Sequence, residues 1–167
     1  MTTFEEFVTA RSPALLRAAW LLTADRHDAE ELVQSALVRT CSRYDRIERE
    51  QGGSFEAYVR RAVHNEYLSW YRRQRRQQRH DAAAGRQTVE DTEDRALARR
   101  VVLLALDDLS PRQREVVVLR FYEDLPMHEV ASIMRCSLGA VKSHQARALA
   151  ALREHASLRD VAAEEHR

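Results

Sequence analysis

The chain has 167 residues, 44% of them apolar, and a formal net charge of +1. That length holds one medium domain or two small ones, and only four glycines and three prolines count against a β-sandwich or a disordered chain and in favour of helices. The near-neutral total hides a segregation of charge: Lys142 is the only lysine and arginine supplies the other cations, and the guanidinium fork favours bidentate contact with phosphate and guanine.

The two cysteines, Cys41 and Cys136, stand far apart and make no CxxC pair, so the expectation is free thiols in a reducing cytoplasm. There is no signal-peptide pattern, and the apolar run at residues 101–106 is far too short to span a bilayer. The seven histidines are scattered without ligand spacing, and no nucleophile–base pair or phosphate loop is visible. Neither an enzyme nor a metal or cofactor site is expected.

In chain order, Thr3 and Glu6 make a capping-box start for a first helix. Ser12-Pro13 reads as a second start, with proline at the first helical position, where its missing N–H costs little. Leu15, Leu16, Ala19, Trp20 and Leu22 then recur at helical spacing. Asp25 caps the next helix. Its buried stripe is Ala29, Leu32, Val33, Ala36, Leu37 and Thr40, and Glu30, Glu31, Gln34 and Arg39 face outward. Residues 45–53 read as a polar loop closed by Gly52-Gly53.

Ser54 caps a long helix running to about Gln77. Its inner face is Phe55, Tyr58, Val59, Ala62, Val63 and Leu68, with Trp70 or Tyr71 near the end. Its outer face carries Arg60, Arg61, Arg72, Arg73, Arg75, Arg76 and Arg79 against one acid, Glu66, interleaved with Tyr67, Trp70 and Tyr71. Guanidinium groups neutralise phosphate and aromatic faces support unstacked bases, so this reads as a nucleic-acid surface. The alternative is a solvated face beside a core aromatic cluster, although charge of one sign repels itself without a polyanion.

Residues 80–94 lose apolar periodicity and read as a linker, with Glu90, Asp91, Glu93 and Asp94 either keeping a tether soluble or tracking a basic channel on a partner. From Arg95 the periodicity returns at Leu97, Val101, Leu104, Ala105 and Leu106. Ser110-Pro111-Arg112-Gln113 is a second capping-box start. Val116, Val117, Leu119, Arg120 and Phe121 follow, then a turn at Glu123-Asp124. Val130, Ala131, Ile133 and Met134 give a short helix its apolar face, and a three-residue turn leads to a second helix ending near His155. Ser137 caps that helix. Gly139 and Ala140 keep its opening slim, Lys142, Ser143, His144 and Arg147 project from one side, and Val141, Ala148 and Leu152 form the other. This is a helix-turn-helix suited to a DNA major groove, as against an αα-hairpin that only packs. The tail from Ser157 is polar and expected to fray.

Taken together, these motifs resemble those of bacterial sigma factors of the extracytoplasmic-function group, and most closely the actinobacterial SigE-type subgroup. Residues 28–37 are similar to that family's A-E-D-L-V-Q-E-x-F. Residues 55–73 resemble W-L-x-x-I-A-x-N-x-x-x-D-x-x-R-R, with Asn65, Arg72 and Arg73 in place. Residues 109–153 carry L-S-P-x-x-R-E-V, E-V-A and S-x-G-x-V-K-S. The departures are Ser35 and Leu37 for an acid and an aromatic, Tyr58 for tryptophan and Ser69 for aspartate. In the helix-turn-helix Arg135 stands for glycine, Ala140 for threonine and His144 for arginine.

The resemblance implies an all-α protein of two small helical domains: region 2 at residues 1–79, a linker at 80–95, region 4 at 96–158 and a tail at 159–167. It implies a promoter-specificity subunit. Glu30, Glu31 and Gln34 would dock on the β′ clamp helices of core RNA polymerase. Arg61, Asn65, Arg72 and Arg73, with the loop at 45–53, would melt and read the −10 element. Ser137, Gly139, Lys142, Ser143, His144 and Arg147 would read the −35 element, with region 4 held near the β flap. An anti-sigma factor is a further candidate partner. The rival readings are a stand-alone LuxR-like regulator and a polymerase-binding adaptor that never reads DNA. Arg135, Ala140 and His144 are where the chain's own promoter preference is expected to be written.

Overall fold

The computed structural model describes residues 3–49, 54–78 and 93–155, and among these every regular element is helical. The chain divides into two compact units, residues 1–86 and 87–167. The predicted loop residues 50–53, Arg79, the body of the linker at 80–92 and the tail from 156 lie outside the described residues.

The first unit holds α1 (Phe4–Thr23), α2 (Arg26–Cys41), α3 (Tyr44–Arg49) and α4 (Phe55–Gln78). The Thr3 capping box forms with both of its hydrogen bonds. No second start occurs at Ser12: Pro13 lies inside one continuous α1. Proline there forfeits a single backbone hydrogen bond. The helix survives because both halves are packed, Phe4 and Phe7 on one side of Pro13 and Leu15, Ala19 and Leu22 on the other. It ends at Ala24, which adopts left-handed backbone at φ 59 and donates its N–H to Trp20 at 2.8 Å. Asp25 then caps α2, its Oδ1 accepting from the Asp28 N–H at 2.9 Å.

Residues 44–49 are not loop but helix, because Tyr44 and Ile47 are apolar anchors and both are buried. Phe4, Phe7, Tyr44 and Phe55 form an edge-to-face cluster, the tightest pairs 4.8 Å apart between ring centroids. Such pairs add about 1 kcal/mol each beyond area burial, and this cluster fastens the start of α1 to α3 and α4. Along α4, Phe55, Val59, Val63, Tyr67 and Trp70 recur every three or four residues and are all buried, which makes one continuous inner stripe.

The second unit holds α5 (Glu93–Asp107), α6 (Pro111–Val117), a π-helical turn (Val118–Tyr122), α7 (Met127–Met134) and α8 (Leu138–Glu154). Helix α5 begins at Glu93, two residues ahead of the point where apolar periodicity returns. Ala105 and Leu106 are buried as expected, but Leu104 is half exposed. The Ser110 capping box opens α6 with Pro111 at its first position. The core is Val116, Leu119, Leu125, Val130, Ile133, Met134 and Val141. In the π turn the Glu123 N–H reaches back to the Val118 carbonyl at 3.0 Å. The extra residue in that turn shifts the register of its last residues around the helix axis, so Phe121 and Tyr122 face solvent instead of continuing the apolar stripe.

Candidate nucleic-acid and partner interfaces

Three faces gather the residues singled out by sequence. The first is on α8. Ser137 has extended backbone, and its Oγ accepts from the Ala140 N–H at 3.1 Å. Val141 and Ala148 are fully buried, which orients the helix and leaves Gly139, Lys142, Ser143 and Arg147 exposed, with His144 half-buried. Gly139, Ser143 and Arg147 are spaced by four and so run along one line, with Lys142 beside them. A Cβ added at Gly139 would meet only Ser137 Oγ at 3.9 Å. The unit's own packing therefore does not require glycine there, whereas a close external surface would.

Several side chains to which periodicity assigns no role set the angle of this face. Arg112 Nη1 donates to the Met134 carbonyl at 3.1 Å, at the C-terminal end of α7, and to Glu115 Oε2 at 3.1 Å. Glu115 is 1% exposed, and a carboxylate so placed needs its cation. Arg114, also buried, pairs with Asp107 at 3.2 Å. Arg120 hydrogen-bonds the Leu125 carbonyl and reaches Gln145 Oε1 on α8 at 3.4 Å. Nothing in apolar periodicity marks Arg114 and Glu115 as buried or Arg112 and Arg120 as engaged; the only available signal is the density of arginine inside a helical pattern. Cys136 sits in the turn, where burial pushes its thiol up and Arg112 works against that shift. A thiol kept protonated is a poor nucleophile, and both cysteines are free.

The second face is on α4. Arg61, Asn65 and Arg72 share one line with Ser69 and Arg76, opposite the buried stripe. Arg72 is exposed and Arg61 and Asn65 are half-buried. Arg73 is exposed but lies a quarter turn off that line. Tyr67 departs from the nucleic-acid face expected of it, and of the two candidates for the inner residue near the helix end it is Trp70 that is buried. Tyr67 and Trp70 are buried and stack on each other at 6.0 Å, and only Tyr71 stays partly accessible. They belong to the 55–59–63–67–70 stripe and so are core. Glu66 is not an outer acid either: it is 5% exposed and pairs with Arg39 of α2. Arg60 is held by Glu56 at 3.2 Å, and Glu56 is also bound by Arg11 at 3.1 Å.

The third face is on α2. Leu32 and Val33 are fully core, whereas Glu31 and Gln34 are exposed and Glu30 is partly so, with Arg26 at 3.0 Å. Val38, one turn beyond Gln34, is 72% exposed. Its spacing from Gln34 is legible in the sequence, but its apolar character disguises it as a core residue. Asp28, at the start of the helix, is pushed above the ordinary aspartate range by burial, against a lowering influence from the Trp70 indole N–H. Among the described residues no cluster of acids, histidines and cysteines could hold a metal ion, and no helix is long and apolar enough to cross a membrane.

Comparison with known proteins decides what these faces belong to. The sequence model for Sigma-70 region 2 matches residues 7–77, and that for Sigma-70 region 4 matches residues 105–154. The chain belongs to the sigma-70 family. Within it the extracytoplasmic-function group is its home: the chain is 39% identical over 158 residues to the RNA polymerase sigma-E factor of Streptomyces avermitilis, covering 95% of this chain and 87% of that protein. It is 38% identical to the Streptomyces coelicolor protein of the same name, with 95% and 88% covered. Among solved structures it is similar to the sigma factor RpoE in complex with the anti-sigma factor NepR from Bartonella quintana. There the TM-score is 0.75 at 27% identity, with 90% of this chain and 94% of that one covered. It is also similar to CnrH in complex with the cytosolic domain of CnrY, with a TM-score of 0.66 at 25% identity, covering 95% and 88%. This protein is therefore a sigma factor directing transcription initiation. A stand-alone LuxR-like regulator is not favoured, because the region 2 match places α2 and α4 in the same family as the helix-turn-helix.

Proposed function

We propose that this sigma factor joins core RNA polymerase in the cytoplasm through the α2 face, with Glu30, Glu31 and Gln34 meeting the β′ clamp helices and Val38 adding an apolar contact. Arg61, Asn65, Arg72 and Arg73 engage the −10 element as its strands part. Ser137, Gly139, Lys142, Ser143, His144 and Arg147 read the −35 element in the major groove, with region 4 lying by the β flap. The chain itself performs no bond-making chemistry and needs no cofactor. An anti-sigma factor covering these same faces is the regulatory partner, as the solved complexes of similar sigma factors suggest.

The observation that carries this reading is that in both units the named polar and cationic residues lie on faces turned away from their own cores. Each unit alone offers a modest contact. Joined through core polymerase they act as one, because the second contact forms at high effective concentration. Run-off transcription on a genomic promoter library tests it. The sigma factor with core enzyme is expected to give discrete start sites that neither component gives alone, and absence of any dependent transcript would sink the reading.

A further inference from the structure

The turn between α7 and α8 demands left-handed backbone of its first residue, and Arg135 supplies it at φ 51 and ψ 49. Arginine is strained there, asparagine less so and glycine not at all. The turn makes no visible use of what arginine adds. Its N–H caps α7 by donating to the Ala131 carbonyl, which glycine would do equally well. Its side chain is exposed, and among the described residues no carboxylate or carbonyl holds it. The other arginines of this unit that carry a structural part, Arg112, Arg114 and Arg120, are each engaged internally. An unpaired cation thus occupies a strained position two residues ahead of the Ser137 cap. It stands at the end of α8 from which Gly139, Lys142 and Ser143 project.

A strained residue that its own fold does not need points to a use outside the fold. In a helix-turn-helix docked on DNA, the first turns of the second helix face base edges, while groups flanking that end meet the sugar-phosphate wall of the groove. Arg135 precedes the helix and so lies at the rim, outside the base-reading set. We propose that Arg135 is a phosphate contact to the −35 duplex, adding affinity without sequence preference. The inference rests on the helix-turn-helix reading of α7 and α8, and it narrows Arg135 from a specificity residue to an anchoring one.

The test uses the full chain reconstituted with core polymerase and a duplex selected from a randomised pool with the parent holoenzyme. Arg135→Gly and Arg135→Asn remove the charge but suit left-handed backbone, whereas Arg135→Lys keeps the charge. The Gly and Asn variants are expected to be no less heat-stable than the parent and to bind more weakly. They should lose affinity by the same factor on the selected duplex and on its −35 base variants. One fewer released counterion makes the parent's advantage shrink about 3.5-fold between about 50 and about 200 mM salt. The Lys variant should keep most of the affinity and the parent's salt slope. Unchanged binding in Arg135→Gly overturns the proposal, as does a shift in base preference or a loss of stability. Arg147→Ala, run alongside, separates the two levels of argument. If it weakens binding while Arg135→Gly does not, only the inference fails. If neither does, the −35 reading fails with it.

Discussion

Asp28 shows how a single side chain is set by what folds over it. Its carboxyl stands at the start of α2, where a negative charge is favoured by the helix dipole, yet burial wins and raises it above the ordinary value, with Asp25 and Glu31 adding to the rise. A carboxyl raised on folding binds its proton more tightly in the native state. Stability attached to the neutral form is therefore complete at low pH and lost as pH climbs through the unfolded and then the folded titration range. Asp28→Asn stays neutral throughout. The melting temperature of this variant relative to the parent should rise between about pH 3 and about pH 6; a difference that is flat or falls across that range would show that the carboxyl is not raised. Asp28 carried no mark in the sequence beyond a place near a cap. The burial that decides its behaviour comes with the folded unit, and one of the groups acting on it, the Trp70 indole, lies more than forty residues further on.

At the scale of the element, the recognition helix depends on how it begins. Ser137 satisfies the Ala140 N–H, and Ser137→Ala should cost about 1 kcal/mol of stability in the second unit, measured by chemical denaturation with no change in the unfolding of the first. An equal loss in both units would contradict the independence of their cores. The contrast with Pro13 is instructive. Ser12-Pro13 and Ser110-Pro111 carry the same start signal, yet only the second begins a helix. The difference lies upstream: Phe4 and Phe7 are packed against Tyr44 and Phe55, so the backbone ahead of Pro13 is already held helical. Residues 44–49 err the other way, since a polar sequence with two apolar anchors makes a short helix only because a core is there to receive them.

At the scale of the molecule, the proposal assigns polymerase docking to one unit and upstream duplex reading to the other, and the two should be separable. Glu31→Lys reverses a charge on an exposed face and is expected to weaken association with core enzyme by tenfold or so, leaving the folded content of the chain intact. Arg147→Ala is expected to lower promoter binding by the holoenzyme while core association, followed by fluorescence anisotropy, stays at the parent level. Loss of core association in the second variant would refute the assignment of the α8 face.

The helical class, the existence of two units, most element ends and the outward faces of α2 and α8 are legible in the sequence. These follow from local periodicity and from caps such as Asp25, Ser110 and Ser137, which act within three or four residues. Which polar residues lie inside is settled by packing between elements. Glu66 is buried against Arg39, a partner on another helix that no local pattern encodes; Glu115 and Arg114 are buried with nearer partners, Arg112 and Asp107, whose pairing can be read locally although the burial cannot. Packing also places Tyr67 in the core instead of on the nucleic-acid face, makes Trp70 rather than Tyr71 the inner residue near the end of α4, and turns Phe121 out to solvent through the π turn. The physical reason is the same in each case. A helix's own sequence fixes how its residues are spaced around its axis, and the elements packed against it fix which way that axis is turned.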